Sequence, residues 1–294
     1  MLEFRDITIN DKERITSALR QSDFMGCEYS FANNMAWKRL AGSKIAFFHN
    51  FYICCAFETY NNIPHFIFPA GTGDYSEVIN IMRNFSDSLG KPLVLTGVTN
   101  KTLSVLNELF PDQFTAEHDR DCSDYIYLSS DLIELKGKKY HGKRNHLAKL
   151  KNYSYSPVTE KDFDECIYFC TQSYNSRQDN PDHSSIAEQY AINTYFSYFD
   201  ELQLRGGIIR IDGKIAAVTL GEQLNSESFC IHIEKADTSY SGIYAGINKF
   251  FAESEARKYK YINREEDLGI EGLRKSKLSY HPAFLLDKYT VTFK

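Results

Sequence analysis

The sequence predicts an α/β fold built from two similar domains, each a mixed sheet with helices on both faces. Three observations predict it. The order of two helices, a strand pair, a helix, a strand, a helix and a last strand occurs twice along the chain. A length of 294 residues suits two domains of roughly 150 residues each. The dipeptide Asp212-Gly213, set between two apolar alternating runs, marks a tight β-hairpin. No residue-level repeat accompanies the duplicated order, so the duplication is one of architecture.

The elements follow in turn. Residues 11–20 and 31–40 have helical spacing. Residues 45–57 and 65–68 are apolar enough for strands, around the turn-forming Tyr60-Asn61-Asn62. A helix over 74–89 places Val78, Ile81, Met82, Phe85 and Leu89 at core spacing. A short buried strand over 92–98, a helix over 101–110 and a strand over 125–128 complete the first half. The second half has helices over 163–175 and 185–199, the hairpin over 207–221 and a strand over 229–234. A helix over 243–259 carries Ile243, Ile247, Phe250 and Phe251 on one side. A strand over 261–263, a helix over 270–278 and a last strand over 284–293 close it. The expected boundaries are an N-terminal domain over 1–135, a basic connecting segment over 136–152, and a C-terminal domain over 153–294 carrying the site.

Composition excludes several classes. Hydrophobic content of 43% and aromatic content of 14% exclude a disordered chain. A net charge of −5 excludes a protein that coats nucleic acid, so any such contact must be local. The seven cysteines are odd in number and contain no C-x-x-C, which fits reduced thiols packed as small hydrophobes. Their spacing carries no zinc signature, so no metal is expected. The N-terminus lacks a signal-peptide pattern, and the longest apolar-rich run, 45–57, is too short to span a bilayer. The expectation is a cytoplasmic protein.

Four constellations carry chemistry. Residues 261–282 pack eight charged side chains, two glycines and a proline between an apolar helix and an apolar strand. Asn263, Arg264, Glu265 and Asp267 lie at a strand's carboxyl end, Gly269 permits a tight turn, and Arg274 and Lys277 follow on one helix face. Ligands of open α/β sheets bind at such strand ends. The same residues also suit a capped helix, with Asp267 at its start and Arg274, Lys275 and Lys277 as a solvated face. Residues 136–151 hold seven Lys/Arg, two His and no carboxylate, a field that attracts phosphate. Lys143, Arg144 and Asn145 lie within it; a solvated helix is the plainer alternative. The turn over 238–246, with Ser241, Gly242 and Gly246, suits a pyrophosphate at a helix start, or a capped helix that packs closely. In Cys230-Ile-His-Ile-Glu234, His232 and Glu234 project from one sheet face. Either could accept a proton from an attacking amine or hydroxyl, or be hydrogen-bonded core.

Lys143-Arg144-Asn145, Asn263-Arg264-Glu265 with Asp267-Leu268-Gly269, and Gly272-Leu273-Arg274-Lys275-x-Lys277 with Tyr280-x-Pro282 together resemble the soluble phosphatidylglycerol lysyltransferase C-terminal domain family. Residues 27–33 with Trp37 look like that family's N-terminal signature. The resemblance implies two tandem GNAT-like (Gcn5-related acetyltransferase) domains, as in the Fem-type peptidyltransferases. It implies transfer of an aminoacyl group from aminoacyl-tRNA, as co-substrate, to a hydroxyl or amine acceptor such as a lipid headgroup or small molecule. On that reading Lys143 and Arg144 hold donor phosphates, and Glu265 and Asp267 bind the donor ammonium or take the acceptor proton. Arg264, Arg274 and Lys277 stabilise developing charge, and Tyr280 donates from its hydroxyl. The acetyl-CoA loop of ordinary GNAT enzymes, R/Q-x-x-G-x-G/A, is not matched by residues 240–246. A CoA-dependent N-acyltransferase and a catalytically silent ligand-binding or scaffold protein are the alternatives.

Overall fold

The computed structural model describes residues 2–59, 61–175 and 183–294. The chain divides into two compact units. Unit 1 comprises Met1–Asp124, Glu266–Ile270 and Leu285–Lys294; unit 2 comprises Tyr125–Glu265 and Glu271–Phe284. The expected segments map unevenly onto them: residues 125–135 lie in unit 2, and the last strand, expected in the C-terminal domain, lies almost wholly in unit 1.

Unit 1 holds α1 (Lys12–Ser22), α2 (Phe31–Ala36), β1 (Ser43–Phe48), β2 (Phe51–Ala56), β3 (His65–Ile67), α3 (Tyr75–Ser88), β4 (Val94–Thr99), α4 (Asn100–Leu109) and most of β5 (Phe114–Leu128). Its sheet runs β1-β2-β3-β4-β11-β5, where β11 is Phe284–Phe293. The run over 45–57 is not one strand. It breaks at His49 (φ 50°) into the antiparallel hairpin β1–β2. β2 is buried along almost its whole length, and Phe51, Ile53 and Cys55 join Phe66, Leu95, Val291 and Phe293 in the core. α3 closes one face with Val78, Ile79 and Met82, its first turn capped by Asp74, whose Oδ1 accepts from the Ser76 and Glu77 amides. Of the expected turn Tyr60-Asn61-Asn62, Tyr60 lies outside the described residues, and Asn62 takes φ 55°.

Unit 2 holds the end of β5, α5 (Ser129–Glu134), α6 (His141–Leu147), β6 (Tyr153–Pro157), α7 (Phe163–Asn175), α8 (His183–Ser197), β7 (Arg205–Ile211), β8 (Lys214–Gln223), β9 (Ser228–Ala236), α9 (Ile243–Glu255), β10 (Tyr261–Asn263) and α10 (Glu271–Leu278). Its sheet runs β5-β10-β9-β8-β7-β6. Asp212 (φ 50°) and Gly213 (φ 79°) form the β7–β8 turn with both central residues left-handed, as the dipeptide requires.

The two units repeat one pairing pattern. In unit 1, β1·β2 and β2·β3 are antiparallel, β3·β4 is parallel and β4·β11 antiparallel. In unit 2, β7·β8 and β8·β9 are antiparallel, β9·β10 is parallel and β10·β5 antiparallel. Each parallel pair is joined through a helix, α3 or α9, as a parallel crossover demands. Among the described residues, no helix is long and apolar enough to cross a membrane.

Candidate active site

The candidate side chains of unit 2 gather where β9 and β10 part. These strands are in register only over Ser228–Cys230 and Tyr261–Asn263. β9 continues to Ala236, while the other chain turns sharply after Asn263. The buried Asn263 drives that turn: its Oδ1 accepts from the Glu265 amide at 2.7 Å, and Glu265 takes φ 56°. The turn delivers Arg264 and Glu265 to residues of β9. Glu265 meets His232, and Arg264 meets Glu234.

Arg264 is nine-tenths buried. Its Nη2 pairs with Glu234 Oε1 at 2.7 Å, and its guanidinium carbon lies 5.0 Å from the Tyr280 ring centroid and 5.7 Å from that of Tyr127. Burial works against the charge, but Glu234 and the two phenols hold the guanidinium pKa above its ordinary value. Its Nη1 is buried without a hydrogen bond. Asn248, on α9, donates from Nδ2 to the other Glu234 oxygen at 3.2 Å, and its own Oδ1 is likewise buried and unbonded. Lys143 sits 3.5 Å above the Tyr280 ring and donates to Ser279 Oγ at 2.6 Å. Burial, and then the Arg264 charge, lower its pKa to about 8. Lys277 is buried and donates to the Arg264 carbonyl at 2.6 Å. Tyr280 is buried, its pKa pushed up to about 12 chiefly by burial. Two cations on one phenol ring, with the unbonded Arg264 Nη1 donor beside them, can hold an anion.

The second lobe centres on His232, whose side chain is fully buried. Nδ1 lies 2.9 Å from Glu265 Oε1, and Nε2 lies 3.2 Å from Glu222 Oε1 on β8. The Tyr195 ring stacks on the imidazole at 5.6 Å. Burial works against imidazolium, but Cys230, Tyr195 and Glu222 hold the His232 pKa well above its ordinary value.

The other expected residues have different surroundings. Asp267, in unit 1, is fully buried; Arg120 pairs with its Oδ2 at 3.2 Å and the Gly269 amide donates to its Oδ1 at 2.9 Å. Arg274 is half-buried on α10. Arg144 is spent on backbone, donating to the Leu135 and Gly137 carbonyls behind α5, and Asn145 bonds His141. The cap of α9 is Gly242 rather than Ser241, which is exposed and makes no cap bond. A Cβ at Gly242 would stand 2.0 Å from the His146 carbonyl oxygen, and one at Gly246 2.5 Å from Leu150. The space left by these glycines is therefore filled by residues 146–150.

The sequence reading did not single out Glu222, Asn248, Tyr127 or Tyr195. Glu222 had one available signal, an acid closing an apolar strand. Unit 1 holds a further cluster. Lys288, 6% exposed, lies 2.7 Å from both Asp124 and Glu28 and 3.6 Å from Cys27 Sγ. The Cys27 amide donates to Asp124 and its thiol to Glu266 at 3.3 Å. Burial opposes the ammonium, yet Asp124, Cys27, Glu28 and Glu266 hold its pKa well above the ordinary lysine value.

Comparison with known proteins places this architecture. Residues 19–292 match the family model described as phosphatidylglycerol lysyltransferase, C-terminal, and the chain belongs to that family. A conserved protein of unknown function from Bacteroides thetaiotaomicron VPI-5482 is 37% identical over 100% of both chains, with a TM-score of 0.91. The structure of L-PGS from Bacillus licheniformis is 14% identical, covering 97% of this chain and 92% of that one at a TM-score of 0.66. FemX is 8% identical, covering 98% and 96%, at 0.61. The last two likenesses show the fold alone, a mixed, mostly antiparallel α/β architecture with GNAT-like neighbours. No curated protein matches the sequence.

Proposed function

We propose that this chain is an aminoacyl-tRNA-dependent transferase of two tandem GNAT-like domains, with its reaction centred where β9 and β10 part. Membership of a family named for lysyl transfer to phosphatidylglycerol, over residues 19–292, carries the reading. In this chemistry an acceptor hydroxyl or amine attacks the aminoacyl ester carbonyl. A new ester or amide forms, and the ribose oxygen leaves with a proton. Little covalent help is needed; the donor ester must be held near the acceptor, with donors aimed at the developing oxyanion.

Arg264 has the unbonded Nη1 to make that donation, and Glu234 and Asn248 fix its plane. Lys143, with a pKa of about 8, is suited to exchange the proton near neutral pH. The donor's phosphates would meet Lys138, Lys149 and Lys151, which are exposed. Lys136 and Lys139, by contrast, pair with Glu134 and Asp131. Asp267, buried against Arg120, would support the turn rather than touch substrate.

The test is transfer of a labelled aminoacyl group from charged tRNA to phosphatidylglycerol vesicles, and separately to soluble amines, with binding of charged tRNA, uncharged tRNA and acetyl-CoA in parallel. Salt-sensitive binding of charged tRNA and label transfer are expected, with Arg264→Ala lowering turnover about 10²–10³-fold. Saturable acetyl-CoA binding in place of tRNA would overturn the donor class; Gly242 and Gly246, packed against residues 146–150, give that alternative little support. One observation favours a silent scaffold: Arg264 pairs with Glu234 and His232 with Glu265, so the charges partly satisfy each other. Folded protein that binds none of the three ligands and transfers no label would establish that reading.

A further inference from the structure

We propose that Cys230, His232 and Glu265 form a divalent-metal site suited to Zn²⁺, with Glu222 as the carboxylate that orients the histidine. Cys230 and His232 project from β9 two residues apart, and the turn after β10 brings Glu265 to them. One ligand atom from each lies within 4.8 Å of the other two. The His232 Nδ1 to Glu265 Oε1 separation is 2.9 Å, and that of Cys230 Sγ to the same oxygen is 3.9 Å. Usual zinc bond lengths in a tetrahedron give edges of about 3.4 Å for N···O and about 3.6 Å for S···O. The observed N···O edge is shorter than that by about 0.5 Å and the S···O edge longer by about 0.3 Å, so metal entry requires the His232 and Glu265 side chains to part slightly.

The surroundings match a metal-bound histidine. A ligating imidazole commonly gives its second ring N–H to a carboxylate, which fixes tautomer and ring plane. His232 Nε2 lies 3.2 Å from Glu222 Oε1, leaving Nδ1 for the metal, and Tyr195 stacks on the ring. One sulfur, one nitrogen and one oxygen donor suit zinc and exclude a calcium or magnesium preference, which asks for oxygen alone. Three protein ligands leave a fourth position open.

A control lies in the same chain. Cys27, Asp124 and Glu266 form the other such grouping among the described residues. There the Lys288 ammonium already sits 2.7 Å from Asp124, so the cation is built into the protein. The sequence alone gave no zinc spacing because the third ligand lies 33 residues beyond His232, across a helix and a strand.

The test is independent of aminoacyl transfer. Full-length protein is stripped with a chelator, then titrated with Zn²⁺ against a chromogenic competitor and, separately, with Co²⁺ followed by absorbance. One Zn²⁺ per chain is expected, with a thiolate-to-cobalt charge-transfer band in the near ultraviolet. Cys230→Ser should remove that band and His232→Gln the stoichiometric binding, while Glu222→Gln should weaken Zn²⁺ about 10–100-fold. Absence of stoichiometric binding by the wild type, or of the charge-transfer band, overturns the proposal without recourse to any variant. Binding that survives unchanged in folded Cys230→Ser and His232→Gln overturns it too.

Discussion

At the scale of single residues, Lys143 shows how burial is turned into a pH response. Its pKa of about 8 in the folded chain lies below the ordinary 10.5, because burial and then Arg264 disfavour its charge. Between those values the unfolded chain binds more protons than the native one, so stability rises with pH across the window. Replacing Lys143 by Met removes the penalty of burying the charge. The variant should gain stability over wild type below pH 8 and lose that advantage as pH approaches 10.5, read by urea denaturation at both limits. A pH-independent difference would mean that the lysine is solvated. Lys288 behaves oppositely, because its charge is compensated. Removing one partner of a buried charge cluster strands the others, so Lys288→Met should destabilise by about 3–5 kcal/mol. A loss below about 1 kcal/mol in the same denaturation experiment would mean that the carboxylates around it are protonated or reach water.

At the scale of elements, the glycine that caps α9 and the glycine in the first turn of α10 separate packing from propensity. Gly242 has φ 86°, and a Cβ there would stand 2.0 Å from the His146 carbonyl oxygen. Gly242→Ala should therefore lower stability by about 2 kcal/mol or more, from backbone strain and the clash together. Gly272, in the first turn of α10, has nothing within 4 Å of such a Cβ. Gly272→Ala should raise stability by about 0.5–1 kcal/mol, since alanine loses less backbone entropy on entering a helix. Thermal unfolding of both variants checks the pair, and equal effects would mean that α9 does not pack on residues 146–150. The same elements show what can be read from sequence. The β7–β8 hairpin was legible because Asp212-Gly213 suits only a left-handed two-residue turn. The β1–β2 hairpin was not, because its turn uses His49 and Asn50 inside an apolar run. Most of β5 escaped because residues 115–121 are polar and largely exposed, and β6 because it is short and exposed. The candidate site was half legible. The segment 263–265 and the face of His232 and Glu234 could be read from turn chemistry and period two. Asn248 and Tyr195 could not, because each arrives from an element whose own pattern shows only burial, and Glu222 offered only the signal of an acid closing an apolar strand. Lys288 and Cys27, 261 residues apart, leave no local trace of their contact.

At the scale of the whole molecule, chain order and folding unit do not coincide. Leu285–Lys294 folds with residues from the first 124, pairing in antiparallel fashion with β4 and placing Val291 and Phe293 in the core of unit 1. A chain ending at Phe284 would lose both apolar anchors, each worth about 1.5–3 kcal/mol of burial. It would also lose the ammonium that compensates Asp124 and Glu28, a further loss of about 3–5 kcal/mol. The sum rivals the total stability of an ordinary domain, about 5–15 kcal/mol. Deletion of residues 285–294 should therefore unfold unit 1, although residues 1–124 remain present. Limited proteolysis with mass mapping reads the outcome. Rapid cleavage within β1–β4 and α3 is expected, while β7–β9 and α9, whose buried Ile209, Ala217, Ile243 and Ile247 come from unit 2 alone, resist longer. Protection of β1–β4 equal to that of the full chain would mean that the first 124 residues hold their own core and that β11 is an accessory edge. A synthetic 285–294 peptide that restores protection when added to the truncated chain would show that the missing contribution is this strand's side chains and ladder bonds.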